Sequence, residues 1–130
     1  MDRISALDHL QVTCPPGGED EARAYWGGLL GLPEVEKPEA LRSRGGCWFR
    51  VGEGARSIGL HVGVLDPFVP ATKAHPALRV RSLEALAELA GELAEAGYPV
   101  EWSDEPIADA RLKTRDPFGN MVELLVGTTG

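Results

Sequence analysis

The chain contains only three histidines, His9, His61 and His75, and one carboxylate, Glu123, set inside the apolar run Met121-Val122-Glu123-Leu124-Leu125. Burying a lone carboxylate at mid-strand is costly, so Glu123 either reaches a solvated edge or meets a cation. Imidazoles and carboxylates are also ligands that divalent transition metals take. Singly, each histidine reads as a hydrogen-bonded structural residue. Together with Glu123 the three read as a ligand set, provided that the fold brings them to one face.

The elements that must position them follow from local pattern. Asp116-Pro117 disfavours helix and Gly119-Asn120 supplies positive-φ turn chemistry, so a strand is expected to start abruptly at Met121 and run to Val126. Val122, Leu124 and Val126 share one side of its pleat; Met121, Glu123 and Leu125 share the other. Further strands are expected over 4–13, 47–51, 56–64 and 75–80, with short ones at 100–102 and 111–114. In the 56–64 strand, Ile58, Leu60, Val62 and Val64 form one face, while small residues surround a single imidazole, His61, on the other. Ala22, Tyr25, Trp26, Leu29 and Leu30 mark an amphipathic helix that stops at Gly31 and Pro33. A second, capped by Ser82, carries Leu83, Leu86, Leu89, Ala90 and Leu93 and closes at Gly97. The charged stretch between Pro33 and Gly46 reads as a loop, and 66–73 as the connection between two halves.

The halves repeat. His9 and His75, Val12 and Leu78, Gly31 and Gly97, and Pro33 and Pro99 are each 66 positions apart. Each half reads as strand, helix and about three strands. The expected architecture is therefore α+β: a single domain over 1–130 with modules at approximately 1–66 and 74–127, its helices on the outer face of a cupped mixed sheet. Strand parity puts His9, His61 and Glu123 on the face away from the helices. His75 joins them if its strand reaches back past Pro76.

Composition narrows the function. A net charge of −7 disfavours a nucleic-acid partner, whose phosphates call for a basic stripe. No apolar stretch approaches the ~20 residues of a membrane span. Cys14 and Cys47 are too few and too far apart for a disulfide framework, so reduced, buried thiols in a cytoplasmic protein are expected.

At His9, His61, His75 and Asp116-Pro117-Phe118-Gly119-Asn120-Met121-Val122-Glu123 the chain resembles the glyoxalase / bleomycin resistance / ring-cleaving dioxygenase group, the vicinal oxygen chelate superfamily. Asp8-His9-Leu10 and Tyr25-Trp26-Gly27-Gly28-Leu29-Leu30-Gly31-Leu32 extend the likeness over essentially the whole chain. The resemblance implies paired βαβββ modules, a divalent metal (Fe, Mn, Ni or Zn) at the base of the cup, a small-molecule substrate and a homodimer. It matches His9, His75 and Glu123 to the family's metal positions, with Glu123 the candidate catalytic residue as well. The fourth strand departs from the pattern. Glyoxalase I-like members place Glu or Gln where this chain has Gly59, and His61, two positions on and on the same face, is the candidate substitute. Without His61 the set is two histidines and one carboxylate, which suits Fe(II) or Mn(II).

Such a metal acts as a Lewis acid toward two adjacent substrate oxygens, as in a lyase, isomerase, thiol transferase or dioxygenase. Arg50, Arg79, Arg111 and Lys113 are candidates to receive an anionic substrate group, against the alternative of solvated or salt-bridged surface cations. Trp48 is a candidate stacking wall, against core packing or a dimer contact. The alternative activity is metal-independent drug sequestration of the bleomycin resistance type.

Overall fold

The alternating run Ile58–Val64 forms β4, an inner strand of a four-stranded sheet ordered β1-β4-β3-β2. Its neighbours are β1 (His9–Cys14), parallel to it, and β3 (Cys47–Val51), antiparallel; β2 (Glu34–Val35) forms the far edge. The computed structural model describes residues 3–127, which divide into two compact units, the first ending at Phe68 and the second beginning at Val69. The second unit repeats the first. Its strands β5 (Ala77–Arg79), β6 (Glu101–Trp102), β7 (Ala110–Arg115) and β8 (Met121–Val126) take the order β5-β8-β7-β6, with β5 parallel to β8. The fold class is α+β, with two mixed sheets, each of four strands.

In the first unit the apolar stripe reads out as a helix, α1, that begins α-helical over Glu19–Ala22 and continues as a π-helix over Arg23–Leu29. Leu30 N–H donates to Tyr25 O at 2.9 Å, the i→i+5 bond of that wider coil. Tyr25 and Trp26 are fully buried with Phe49, Leu60 and Val62, which share the sheet's helix-facing side. Gly27 lets the helix come close, since a Cβ there would stand 3.3 Å from the Phe49 ring. In the second unit, α2 (Leu83–Glu95) is capped by Ser82, whose hydroxyl accepts from Ala85 N–H at 3.1 Å. Leu86 and Leu93 of α2 are fully buried, as are Leu112, Val122 and Leu124 of its sheet. Burying each leucine side chain contributes about 2 kcal/mol.

Three expectations shift. Strand β1 starts at His9 rather than Ile4, because its partner β4 begins at Ile58 and pairs Gly59 with His9, leaving residues 4–8 without a ladder. Ile4 is accordingly 86% exposed. His75 precedes β5 instead of lying within it. The stretch taken as one charged loop contains β2 and a 3-10 helix, Glu39–Arg44. A two-residue edge strand and an i→i+3 coil show no sequence period. Cys14 and Cys47 are buried outside any disulfide, and burial pushes the Cys47 thiol up to about 11. No helix among the described residues is long and apolar enough to cross a membrane.

One turn tolerates no side chain. Gly46 sits at φ +83°, and a Cβ there would lie 2.2 Å from the backbone oxygen of Val62. Its N–H donates to Glu19 Oε2 at 3.0 Å, a bond that holds the Glu19 carboxyl below the usual range. Gly46→Ala is expected to cost about 3 kcal/mol in urea unfolding, since strand β4 or the turn must move. A variant as stable as the parent would contradict this.

Candidate functional site

In the first unit the register places Gln11, His61 and Trp48 side by side across β1, β4 and β3, on the face opposite the helix. The Trp48 and His61 rings are parallel, with centroids 3.8 Å apart. On its other side His61 stacks on His9 at 4.3 Å, with the planes inclined by 16°. Gly59 makes this stack possible: a Cβ there would meet His61 Nε2 at 2.8 Å and His9 Cβ at 3.2 Å. The imidazole of His61 thus lies over the position where a larger residue 59 would project. Burial, reinforced by the neighbouring His9, lowers the pKa of His61 and favours the neutral ring. His9 Nδ1 stands 2.8 Å from Asp8 Oδ1, and this hydrogen bond holds the Asp8 carboxyl below its usual range. A carboxylate only accepts, so Nδ1 carries the hydrogen and the neutral ring keeps its lone pair on Nε2.

In the second unit the mid-strand carboxylate meets its cations. Glu123, 7% exposed, projects from β8 with Oε2 3.0 Å from His75 Nε2 and Oε1 3.1 Å from Arg111 Nε. The Arg111 contact is an ion pair without hydrogen-bond alignment, for Nε has no aligned acceptor. The same guanidinium donates to Ser103 Oγ and Glu105 Oε2, both at 3.2 Å. His75 Nδ1 lies 2.7 Å from the Lys73 carbonyl oxygen, which can only accept, so Nδ1 carries a hydrogen. Nε2 of a neutral His75 would then present a lone pair to a carboxylate oxygen. Two acceptors at that distance need a cation between them, either a second imidazole proton or a metal ion. A histidine whose remote nitrogen is fixed by a carbonyl, beside a carboxylate fixed by a cation, is how metal ligands are oriented. Both donor atoms are of the kind that a divalent metal takes.

Two of the other predicted site residues reach backbone carbonyls. Arg50 donates to the Ser57 carbonyl and hydroxyl, and Arg79 donates to Gly127 O at 2.6 Å. Lys113 is exposed, opposite Glu123 in the register. Arg111, read as a receiver of substrate charge, is placed beside Glu123. Among the described residues no group of three or more His, Cys, Asp or Glu side chains is placed to hold a metal ion. What is brought together is the His75–Glu123 pair in one unit and the His9–His61–Trp48 stack in the other. Lys73, Ser103 and Glu105, which hold these groups, were not identified from sequence, because a loop carbonyl or a loop side chain carries no period.

Fold and site define a class: repeated strand-helix-three-strand units whose helix-free faces carry imidazoles and a carboxylate. Known structures agree. A glyoxalase family protein from Bacillus anthracis aligns with a TM-score of 0.84 at 38% identity, over 98% of this chain and 99% of that one. The fosfomycin resistance protein FosX from Listeria monocytogenes aligns with a TM-score of 0.74 at 16% identity, over 96% and 95%. TnmS3, an antibiotic binding protein from Streptomyces sp. CB03234, gives a TM-score of 0.70 at 18% identity, over 98% and 100%. No family model and no curated protein matches the sequence. The chain belongs to the glyoxalase / bleomycin resistance / dioxygenase group, the vicinal oxygen chelate superfamily.

Proposed function

We propose that this protein is a metal-dependent small-molecule enzyme of the glyoxalase/dioxygenase type, binding its substrate through adjacent oxygens. The observation that carries the reading is the pairing of His75 Nε2 with Glu123 Oε2 at 3.0 Å, each group held from behind. His75 and Glu123 would supply two ligands; His9, with Nδ1 fixed on Asp8, is the third that the family resemblance adds. A bound divalent metal would supply Lewis acidity toward the substrate oxygens. Arg111 keeps Oε1 occupied, so Oε2 is the oxygen left to bind or to carry a proton toward His75. Stacking leaves the in-plane lone pairs of His61 free of the neighbouring rings, so His61 stays the candidate substitute for the fourth-strand carboxylate.

The test is elemental analysis of untagged protein. About one divalent metal per chain is expected, falling at least about tenfold in His75→Ala, Glu123→Gln and His9→Ala with circular dichroism unchanged. Parent protein that stays metal-free after incubation with Mn, Fe, Ni and Zn would sink the reading. A second reading, metal-independent sequestration of a ring-bearing drug, draws support from the row of stacked rings at Trp48, His61 and His9. It predicts ligand binding that a chelator leaves untouched.

A further inference from the structure

Arg50, Arg79 and Arg111, expected to receive substrate charge, bond other groups, and the first unit offers a further pair of cations. Between the Glu39–Arg44 3-10 helix and the helix-free side of the sheet lies a cavity of about 220 Å³, lined among others by Gln11, Lys37, Leu41, Arg44 and Trp48. No acid lines it, although the chain carries a net charge of −7. Its two cations differ. Lys37 donates to the Gly45 carbonyl and also lines a neighbouring cleft that holds Glu34 and Glu36. Arg44 is exposed, and among the described residues no ion pair engages it. Leu41 and the indole of Trp48 form the apolar part of the lining; one indole face is taken by His61, leaving the other face and the edge. Gln11 adds an amide that both donates and accepts.

We infer that this cavity binds the carboxylate end of a small, ring-bearing acid, with Arg44 as the specificity-determining cation, Lys37 in support, and Trp48 and Leu41 against the ring. Its volume lies below the 300 Å³ or more typical of drug-sized pockets, so it suits a compact acid or one end of a longer one. Arginine matches a carboxylate with two parallel N–H donors, which a neutral amide cannot exploit. The inference rests on the small-molecule reading above and gives its substrate a chemical class, but it does not depend on the metal.

The experiment is a titration of the full chain with benzoate, followed by amide and indole NMR, once with a chelator and once with added Mn-free Zn. The expected result is a saturable shift of the Trp48 indole N–H, identified by its absence in Trp48→Phe. Binding should weaken about tenfold in Arg44→Gln, since a charge-assisted bond is lost. Benzamide should bind at least about tenfold more weakly than benzoate, for the same reason. Leu41→Asp, which puts an acid in the lining, should abolish the shift. Equal binding of benzamide, no saturation at Trp48, or unchanged affinity in Arg44→Gln would overturn the inference. A protein that binds benzoate but no metal would sink the metal reading alone; one that binds metal but no benzoate would sink this inference alone.

Discussion

Asp116→Ala is expected to destabilise the protein by about 4 kcal/mol or more in urea unfolding, because it strands three donors in one turn. Asp116, 3% exposed, accepts at Oδ1 from the backbone N–H groups of Phe118 and Asn120, both at 2.9 Å, and at Oδ2 from Asn120 Nδ2 at 2.8 Å. Burial raises the pKa of its carboxyl, while the bonds from Asn120 and Phe118 pull the other way. A buried donor left unmatched costs about 1–3 kcal/mol, and an alanine supplies neither of the two oxygens that serve the three donors. Asn120 cannot rotate to compensate, since its Oδ1 already accepts from Ala71 N–H at 2.9 Å. The effect reaches the candidate site. Met121 N–H donates to Ala71 O at 2.8 Å as the first bond of β8, and Glu123 stands two residues on. Asp116→Asn discriminates cause from composition: it retains Oδ1 and opposes two amides only at Oδ2, so it should cost about 1–2 kcal/mol. An alanine variant within about 1 kcal/mol of the parent would mean that water replaces the carboxylate in this turn.

This turn was legible as a turn from its residue types, and its register put Glu123 on the intended face. Strand Cys47–Val51 and helix Leu83–Glu95 also follow from pattern, because each buries one side and so writes its period into the sequence, whereas Met121–Val126, buried on both faces from Val122, is marked by the turn before it and its apolar run. The 66-residue offset reappears as two sheets of the same strand order. The ladders correspond as well, for Gln11 faces His61 in one as Ala77 faces Glu123 in the other. The role of each cation was not legible. Arg50 and Arg111 alternate correctly, but whether a guanidinium reaches a substrate or a carbonyl depends on loop residues such as Ser57, Ser103 and Glu105. Nor does parity distinguish His61 as a ligand from His61 as a stacked ring, since both need the same face. The stacking comes from Trp48 one strand away and from the missing side chain at Gly59.

Removing the guanidinium of Arg111 while leaving Glu123 should cost about 3 kcal/mol, and removing both groups should cost much less. Glu123 and Arg111 have side chains only 9% and 14% exposed, so their attraction is little screened by water. Losing one member of a buried pair leaves an uncompensated charge, which is worse than losing both. Arg111→Met keeps the aliphatic bulk, and Glu123→Leu places a hydrocarbon between Val122 and Leu124 on a strand that is buried from Val122 to Val126. The double variant should therefore recover most of the loss, giving a coupling energy of about 2 kcal/mol in a double-mutant cycle by urea unfolding. His75 survives the change because its side chain is 28% exposed and water can take over at Nε2. Arg111→Lys should resemble Arg111→Met rather than the parent, since an ammonium cannot sit beside Oε1 and also hold the fork to Ser103 and Glu105. Additive losses, with the double variant as unstable as the two singles combined, would show that Arg111 and Glu123 act independently and that the carboxylate is compensated by His75 alone.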